Sequence, residues 1–255
     1  MKSRFVSSEH NPDLKRIKAL RDRRSVRHAE RLCVVEGPRF IEDAARVAPP
    51  LQVVVSESRG ADDAPQDIDL LIVPDELFGL ISDTANPQGI LAVFRFPELQ
   101  ISPNAIPLLV IPDRIQDPGN LGTLLRSAAA LGSTGVICGP GTVDPYSPKV
   151  IRAAAAAHWQ IPIVLTTNVQ QAIGDAQLLV TDSDAGVWID QVDLAAPSAI
   201  VIGNEGSGIS ALILSLPHTA MAIPMSQSIE SLNAGISASI ALYEANRQRR
   251  MNSGI

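Results

Sequence analysis

A chain of 255 residues with a formal net charge of −6 can bury one large hydrophobic core or two modest ones, and ordinary domain size favours two. Two cysteines exclude a disulfide framework; Cys33 and Cys138 both sit in apolar runs, so buried, reduced thiols are expected. The opening MKSRFVSSEHNPDLKR has no apolar core of the kind a signal peptide needs, and no stretch reaches the length of a membrane span. A soluble, cytoplasmic protein without membrane contact is therefore expected.

The charge is unevenly placed. Ten of the 21 Lys and Arg lie within the first 31 residues (Lys2, Arg4, Lys15, Arg16, Lys18, Arg21, Arg23, Arg24, Arg27, Arg31), against four acids, Glu9, Asp13, Asp22 and Glu30. A local excess of six positive charges on an acidic chain is either a phosphate-binding surface or a solvated helix face. Asn11-Pro12 supplies an N-cap and a proline for the first helical turn, opening a helix predicted to run to about Glu30 on few apolar residues, Leu14, Ile17, Leu20 and Val26. A short strand over 32–35, a turn at Glu36-Gly37-Pro38 and a helix over 39–47 follow. Strand-like runs at 51–56, 70–73 and 90–96, with a helix over 74–81 between them, complete a small α/β domain spanning residues 1–96. The segment PELQISPNAIP, 97–107, carries three prolines and reads as a linker.

From residue 108 to 255 the alternation restarts. Strands are predicted near 108–111, 135–138, 161–165, 177–181, 199–202 and 220–223, and helices near 121–131, 149–156, 169–173, 209–216 and 231–248. Six strands separated by helices predict an α/β domain with a mostly parallel sheet covered on both faces.

Three stretches carry chemistry. In DRIQDPGNLGTLLRSAAALG, 113–132, a buried strand delivers dense turn residues to a helix whose apolar stripe is Leu121, Leu124, Leu125 and Ala128; Arg126 falls off that stripe. In VIGNEGSG, 201–208, a strand runs into three glycines around one carboxylate, Glu205, so a backbone can pass close to a ligand. In IPMSQSIESLN, 223–233, a polar loop leads into the last helix, which Ser231 would suit as a cap. All three lie where a strand hands over to a helix, and in a parallel sheet those points share one edge. GNEGSG has neither dinucleotide-binding spacing nor the Lys-Ser/Thr of a P-loop. The four histidines, His10, His28, His158 and His218, are scattered without ligand partners, so no metal is expected. Neither Ser207 nor Ser231 sits in a hydrolase elbow.

Taken in order, the three stretches resemble the SpoU/TrmH family of RNA 2′-O-ribose methyltransferases, of the SPOUT class. Asp113, Asp117, Pro118, Asn120, Gly122 and Arg126 meet the pattern D-x-x-x-D-P-x-N-x-G-x-x-x-R. Gly203, Glu205 and Gly208 meet G-x-E-x-x-G, and Ile223, Pro224, Met225, Ser231, Leu232 and Asn233 meet I-P-M…S-L-N. Gln227 stands where the family often has glycine. The resemblance implies S-adenosylmethionine as cofactor, held by Gly203, Glu205, Ile223, Met225, Ser231 and Leu232, with the loop after Val180 as a further wall. It implies attack of a ribose 2′-oxygen on the sulfonium methyl, with Arg126 as the catalytic candidate and Asn120, Glu205, Ser231 and Asn233 positioning it and the ribose. A free guanidinium titrates above about 12, so binding phosphate and polarising the hydroxyl is physically easier for Arg126 than acting as a base. The alternative is an arginine that only pairs with Asp117 or Glu205.

Further expectations follow from the resemblance. They are a C-terminal trefoil knot, an N-terminal ribosomal-protein-like RNA-binding domain, and a homodimer to which the closing helix (Ile236, Ile240, Leu242, Tyr243) contributes. Arg247, Arg249 and Arg250 would add to an RNA surface. Ribosomal RNA is the expected substrate; a tRNA target, or an RNA-binding assembly factor without activity, is the alternative.

Overall fold

The computed structural model describes residues 2–60, 68–226 and 231–252. In chain order the elements are β1 (Lys2–Phe5), α1 (Pro12–Asp22), α2 (Arg24–Glu30), β2 (Leu32–Glu36), α3 (Pro38–Ala45), β3 (Gln52–Ser56), β4 (Asp69–Val73), α4 (Asp75–Ile81) and β5 (Ile90–Arg95). They continue as β6 (Leu108–Pro112), α5 (Pro118–Ala130), β7 (Gly135–Cys138), α6 (Pro148–Ala153), β8 (Ile163–Leu165), α7 (Val169–Ile173), β9 (Gln177–Thr181), β10 (Ser198–Ile202), α8 (Ala211–Leu214), β11 (Thr219–Met221) and α9 (Ala234–Asn252). Short 3-10 turns lie at Ala157–Trp159 and Ile189–Gln191. The chain divides into two compact units, one of residues 1–97 with 146–159 and one of 98–145 with 160–255.

The first unit holds a five-stranded sheet in the order β1-β4-β3-β5-β2. β1, β4 and β3 run parallel, and β5 is antiparallel to both β3 and β2. Alternate residues of each strand point to opposite faces, and both faces are apolar. Cys33, Val35, Val53, Val55 and Phe94 pack on one side with Ile41 of α3, while Val34, Val54, Leu71 and Val93 pack on the other with Leu14, Ile17 and Leu20 of α1 and Phe78 of α4. Tyr146, Ile151 and Trp159 join the first of these cores. The segment 146–159, expected within the domain spanning 108–255, thus packs in the N-terminal unit.

The helix expected over 11–30 is two helices. Arg23 is extended (φ −117°, ψ 112°), and Arg27 of α2 donates to the carbonyls of Leu20, at 2.6 Å, and Arg21, at 2.8 Å. A buried guanidinium therefore satisfies the last carbonyls of α1, which a continuous helix would have bonded itself.

The second unit holds a six-stranded, wholly parallel sheet in the order β11-β9-β10-β6-β7-β8. From β6 the chain winds outward through β7 and β8, then crosses to the other side for β9 to β11. The reversal falls between β6 and β10, and the carboxyl ends of strands at such a switch point form the natural ligand crevice of an open α/β sheet. The loops after β6 and β10 carry the first two motif stretches. Residues 98–107, expected as linker, belong to this unit: Ile101 packs on its core, and the carbonyls of Ile106 and Pro107 accept from Arg249.

α9 lies along α5. A Cβ on Gly235 would come within 2.9 Å of Thr123 Cβ and 3.2 Å of the Asn120 carbonyl, so only glycine permits the approach. Ser127 and Ser239 hydroxyls meet at 2.7 Å, and Asn246 donates to the Leu131 carbonyl. Among the described residues no helix is long and apolar enough to cross a membrane.

Candidate active site

The loop after β10 is organised by Asn204. Its main-chain N–H and carbonyl pair with those of Gly208, and its side-chain oxygen accepts from the backbone N–H of Gly206 and Ser207. Gly203 closes the loop's base: a Cβ there would meet Ile209 Cδ1 at 2.8 Å and the Gly208 carbonyl carbon at 2.9 Å. Asp113, buried at the end of β6, accepts from the backbone N–H of Ser210, the residue that caps α8.

Within this frame Glu205 becomes a shared acceptor. Its Oε1 receives hydrogen bonds from Asn120 Nδ2 (2.9 Å), Asn233 Nδ2 (2.8 Å) and the Ala234 backbone N–H (3.0 Å), and Asn233 Nδ2 also reaches Asn120 Oδ1 at 2.7 Å. Each motif stretch supplies one member. Asn120 is placed by Asp117, which caps α5 by accepting from the Asn120 N–H at 2.8 Å. Asn233 caps α9 through the N–H groups of Gly235 and Ile236. The cap expected at Ser231 is therefore two residues later, and Ser231 instead stands on a cavity wall.

That cavity, about 360 Å³, opens beside Glu205. All six residues expected to hold a cofactor (Gly203, Glu205, Ile223, Met225, Ser231, Leu232) line it, and Thr181, Asp182 and Ser183, the loop after Val180, form a further wall. Ile202, Ile209 and Leu214 complete an apolar side. The volume and the mix of apolar lining with a few polar groups match a small-molecule site, and the glycine-built backbone on one wall with a carboxylate on another suits a cationic nucleoside conjugate such as S-adenosylmethionine. Among the described residues there is no cluster of side chains able to hold a metal ion.

Arg126 is not part of this constellation. It is exposed on α5, nearly two turns past Asn120, about 9 Å along the axis, and makes no hydrogen bond or ion pair among the described residues. The pairing with Asp117 or Glu205 that would make it a purely structural residue does not occur. Gln227 lies outside the described residues.

The basic N-terminal segment is more committed than its charge implies. Arg4 binds Asp13 and Asp69, Arg16 binds Glu30, and Arg21 binds Asp22 and the carbonyls of Leu80 and Ser82. Arg27 is buried. Lys15, Lys18, Arg23 and Arg24 are exposed, and their side chains hydrogen-bond to nothing among the described residues. At the other end, Arg249, expected on an RNA surface, is committed to carbonyls of its own chain. Its guanidinium donates to the carbonyls of Ile106, Pro107, Leu194 and Ala196, and burial pulls its pKa below the ordinary arginine value, against a raising pull from Asp193. Arg247 pairs with Glu244 at 2.7 Å.

Sequence reasoning missed Asn204, because an asparagine among glycines reads only as turn chemistry, and missed Ile209 and Leu214, whose spacing fits any short helix. Comparison with known proteins agrees with the geometry. Residues 107–243 match the model of the SpoU rRNA Methylase family, and residues 11–92 match an MRM3-like substrate binding domain. The chain is 30% identical to the 23S rRNA (guanosine(2553)-2′-O)-methyltransferase RlmP of Bacillus subtilis, over 82% of this chain and 86% of that one. Among solved structures, an RNA 2′-O ribose methyltransferase superposes with a TM-score of 0.79 at 31% identity, covering 96% of this chain and 99% of its own. The SpoU methyltransferase AviRb of Streptomyces viridochromogenes, in complex with AdoMet, superposes with a TM-score of 0.81 at 27% identity, covering 94% of this chain and all of its own. The chain belongs to the SpoU rRNA methylase family of RNA methyltransferases.

Proposed function

We propose that this protein transfers a methyl group from S-adenosylmethionine to a ribose 2′-hydroxyl in ribosomal RNA. The observation that carries the reading is the adjacency of two things: the cavity lined by the glycine loop, Ile223, Met225, Ser231 and Leu232, and the Asn120–Glu205–Asn233 cluster at its edge. When bound, S-adenosylmethionine supplies an already activated methyl, so the protein's tasks are alignment and the removal of one proton.

The residues divide those tasks. Glu205 Oε1 is saturated by three donors, which fixes the carboxylate and locks the two asparagines in register; Oε2 keeps its acceptor capacity and takes the proton that the substrate hydroxyl gives up. Ser231, on the cavity wall, offers a free hydroxyl to either ligand. Arg126, with five uncommitted donors, binds the phosphate beside the target ribose and polarises the 2′-hydroxyl without losing its own proton.

Ribosomal RNA is favoured over tRNA by the match to a substrate binding domain in the N-terminal unit and by a 30%-identical relative that acts on 23S rRNA. Lys15, Lys18, Arg23 and Arg24 are the phosphate-binding groups of that unit. Ile236 and Tyr243, exposed on α9, form the contact of a homodimer. The chain must return from β11, at the sheet edge, past β9 and β10 to lay α9 on α5, which supports the trefoil knot. An RNA substrate and two buried cysteine thiols fit a cytoplasmic protein.

Calorimetric titration with S-adenosylmethionine tests the reading. One binding event per chain is expected; absence of any binding heat contradicts it and leaves an RNA-binding factor without activity.

A further inference from the structure

Arg114 has a conformation that its chemistry does not favour. It is left-handed (φ 56°), a region that a side chain bearing a Cβ disfavours and glycine adopts freely. Its stem lies against Gly141, where a Cβ would meet Arg114 Cγ at 2.9 Å. Its Nε is buried without a hydrogen-bond partner among the described residues and sits 3.9 Å from Asp113 Oδ2, too far for a hydrogen bond. Backbone strain and an orphaned buried donor in one residue point to a role that compensates them.

What Arg114 touches is the glycine loop. Its carbonyl accepts from Asn204 Nδ2 at 3.0 Å, and its Nη2 reaches the Gly208 carbonyl at 3.4 Å. Its neighbour Asp113 holds Ser210 just beyond the loop. Residues 204–208 otherwise bond chiefly to one another around Asn204, and their other tether is Glu205, tied to α5 and α9. The loop is thus pinned from two sides, by Glu205 toward the helices and by residue 114 toward β6.

We infer that Arg114 is a positioning residue, holding the 204–208 loop in the closed shape that forms one wall of the cavity and thereby setting cofactor affinity. The left-handed backbone is what lets one residue present both its carbonyl and its guanidinium to the two ends of the loop. Without the guanidinium the Gly208 end keeps only its two backbone bonds to Asn204, and binding then bears the entropy of ordering an end held on one side. The inference rests on the cavity being the S-adenosylmethionine site.

Arg114→Gly is the informative variant, because glycine adopts the same φ freely and keeps the carbonyl that Asn204 uses, while removing only the side chain. Calorimetry with S-adenosylmethionine on the wild type comes first: absence of binding there refutes the cavity reading itself. Given wild-type binding, Arg114→Gly is expected to weaken it about five- to twentyfold and to raise KM for S-adenosylmethionine by the same factor. KM for RNA should stay constant and the melting temperature should hold or rise. Arg114→Lys is expected to recover part of the affinity. Affinity within twofold of wild type in Arg114→Gly overturns the inference. So does a loss of affinity that tracks a loss of thermal stability, which would make the residue merely structural.

Discussion

Asn120 and Asn233 stand 113 positions apart in the chain, yet Asn233 Nδ2 donates to Asn120 Oδ1 at 2.7 Å and both side chains donate to the same oxygen of Glu205. One carboxylate therefore couples the starts of α5 and α9 to the loop after β10. Glu205→Ala leaves three donors without their acceptor, at a net cost of about 1–3 kcal/mol. Methylation is expected to fall at least a hundredfold, and Glu205→Gln, which keeps Oε1, should retain more stability than activity. Denaturant unfolding beside single-turnover rates checks this.

The proposed role of Arg126 predicts an effect on catalysis alone. Since it is exposed and bonds to nothing among the described residues, Arg126→Ala should leave the melting temperature within about 2 °C of wild type. The methylation rate should drop well over tenfold. Activity surviving within tenfold would remove Arg126 from the mechanism.

Gly235 fixes the distance between α5 and α9. In Gly235→Ala the new methyl meets Thr123 Cβ and the Asn120 carbonyl, forcing the helices apart at a cost of about 1–3 kcal/mol and pulling Asn120 from Asn233. Loss of both stability and activity is expected, in contrast to Arg126→Ala.

Arg249 is the converse case. Its four carbonyl partners tie α9 to residues 106–107 and 194–196, and a lysine cannot reach them all from one planar fork. Arg249→Lys should destabilise by about 2–4 kcal/mol while S-adenosylmethionine affinity, measured below the transition, stays unchanged.

Lys18, Arg23 and Arg24 are three of the four exposed cations of the first unit whose removal should weaken RNA binding. Their triple replacement by Ala is expected to flatten the dependence of log affinity on log salt by about 2–3 without altering S-adenosylmethionine binding. Filter binding across a salt series reads it.

The strand and helix alternation of the second unit is legible because its central strands β6, β7, β9 and β10 are largely buried on both faces and read as continuous apolar runs. β1 was not: KSRF is a short charged edge strand whose Arg4 is accounted for only by Asp13 and Asp69, partners distant in sequence. The break at Arg23 depends on Arg27 capping α1 from outside, and no periodicity carries that. Periodicity also says nothing of which core a helix joins, and so the packing of α6 with the N-terminal unit is not legible. At the site, the cavity residues were legible through the resemblance of three ordered stretches. Asn204 and Arg114 were not, because their importance lies in backbone conformation and loop closure rather than in residue type. Arg249 misled because a cation near the last turn of a helix usually faces water.

The most direct test is to incubate purified protein with ribosomal RNA and isotopically labelled S-adenosylmethionine, then digest the RNA to nucleosides for mass spectrometry. Label recovered as a single 2′-O-methylated nucleoside, and absent with Arg126→Ala, is the predicted result. Label on a base rather than a ribose, or no transfer to any RNA despite cofactor binding, would contradict it.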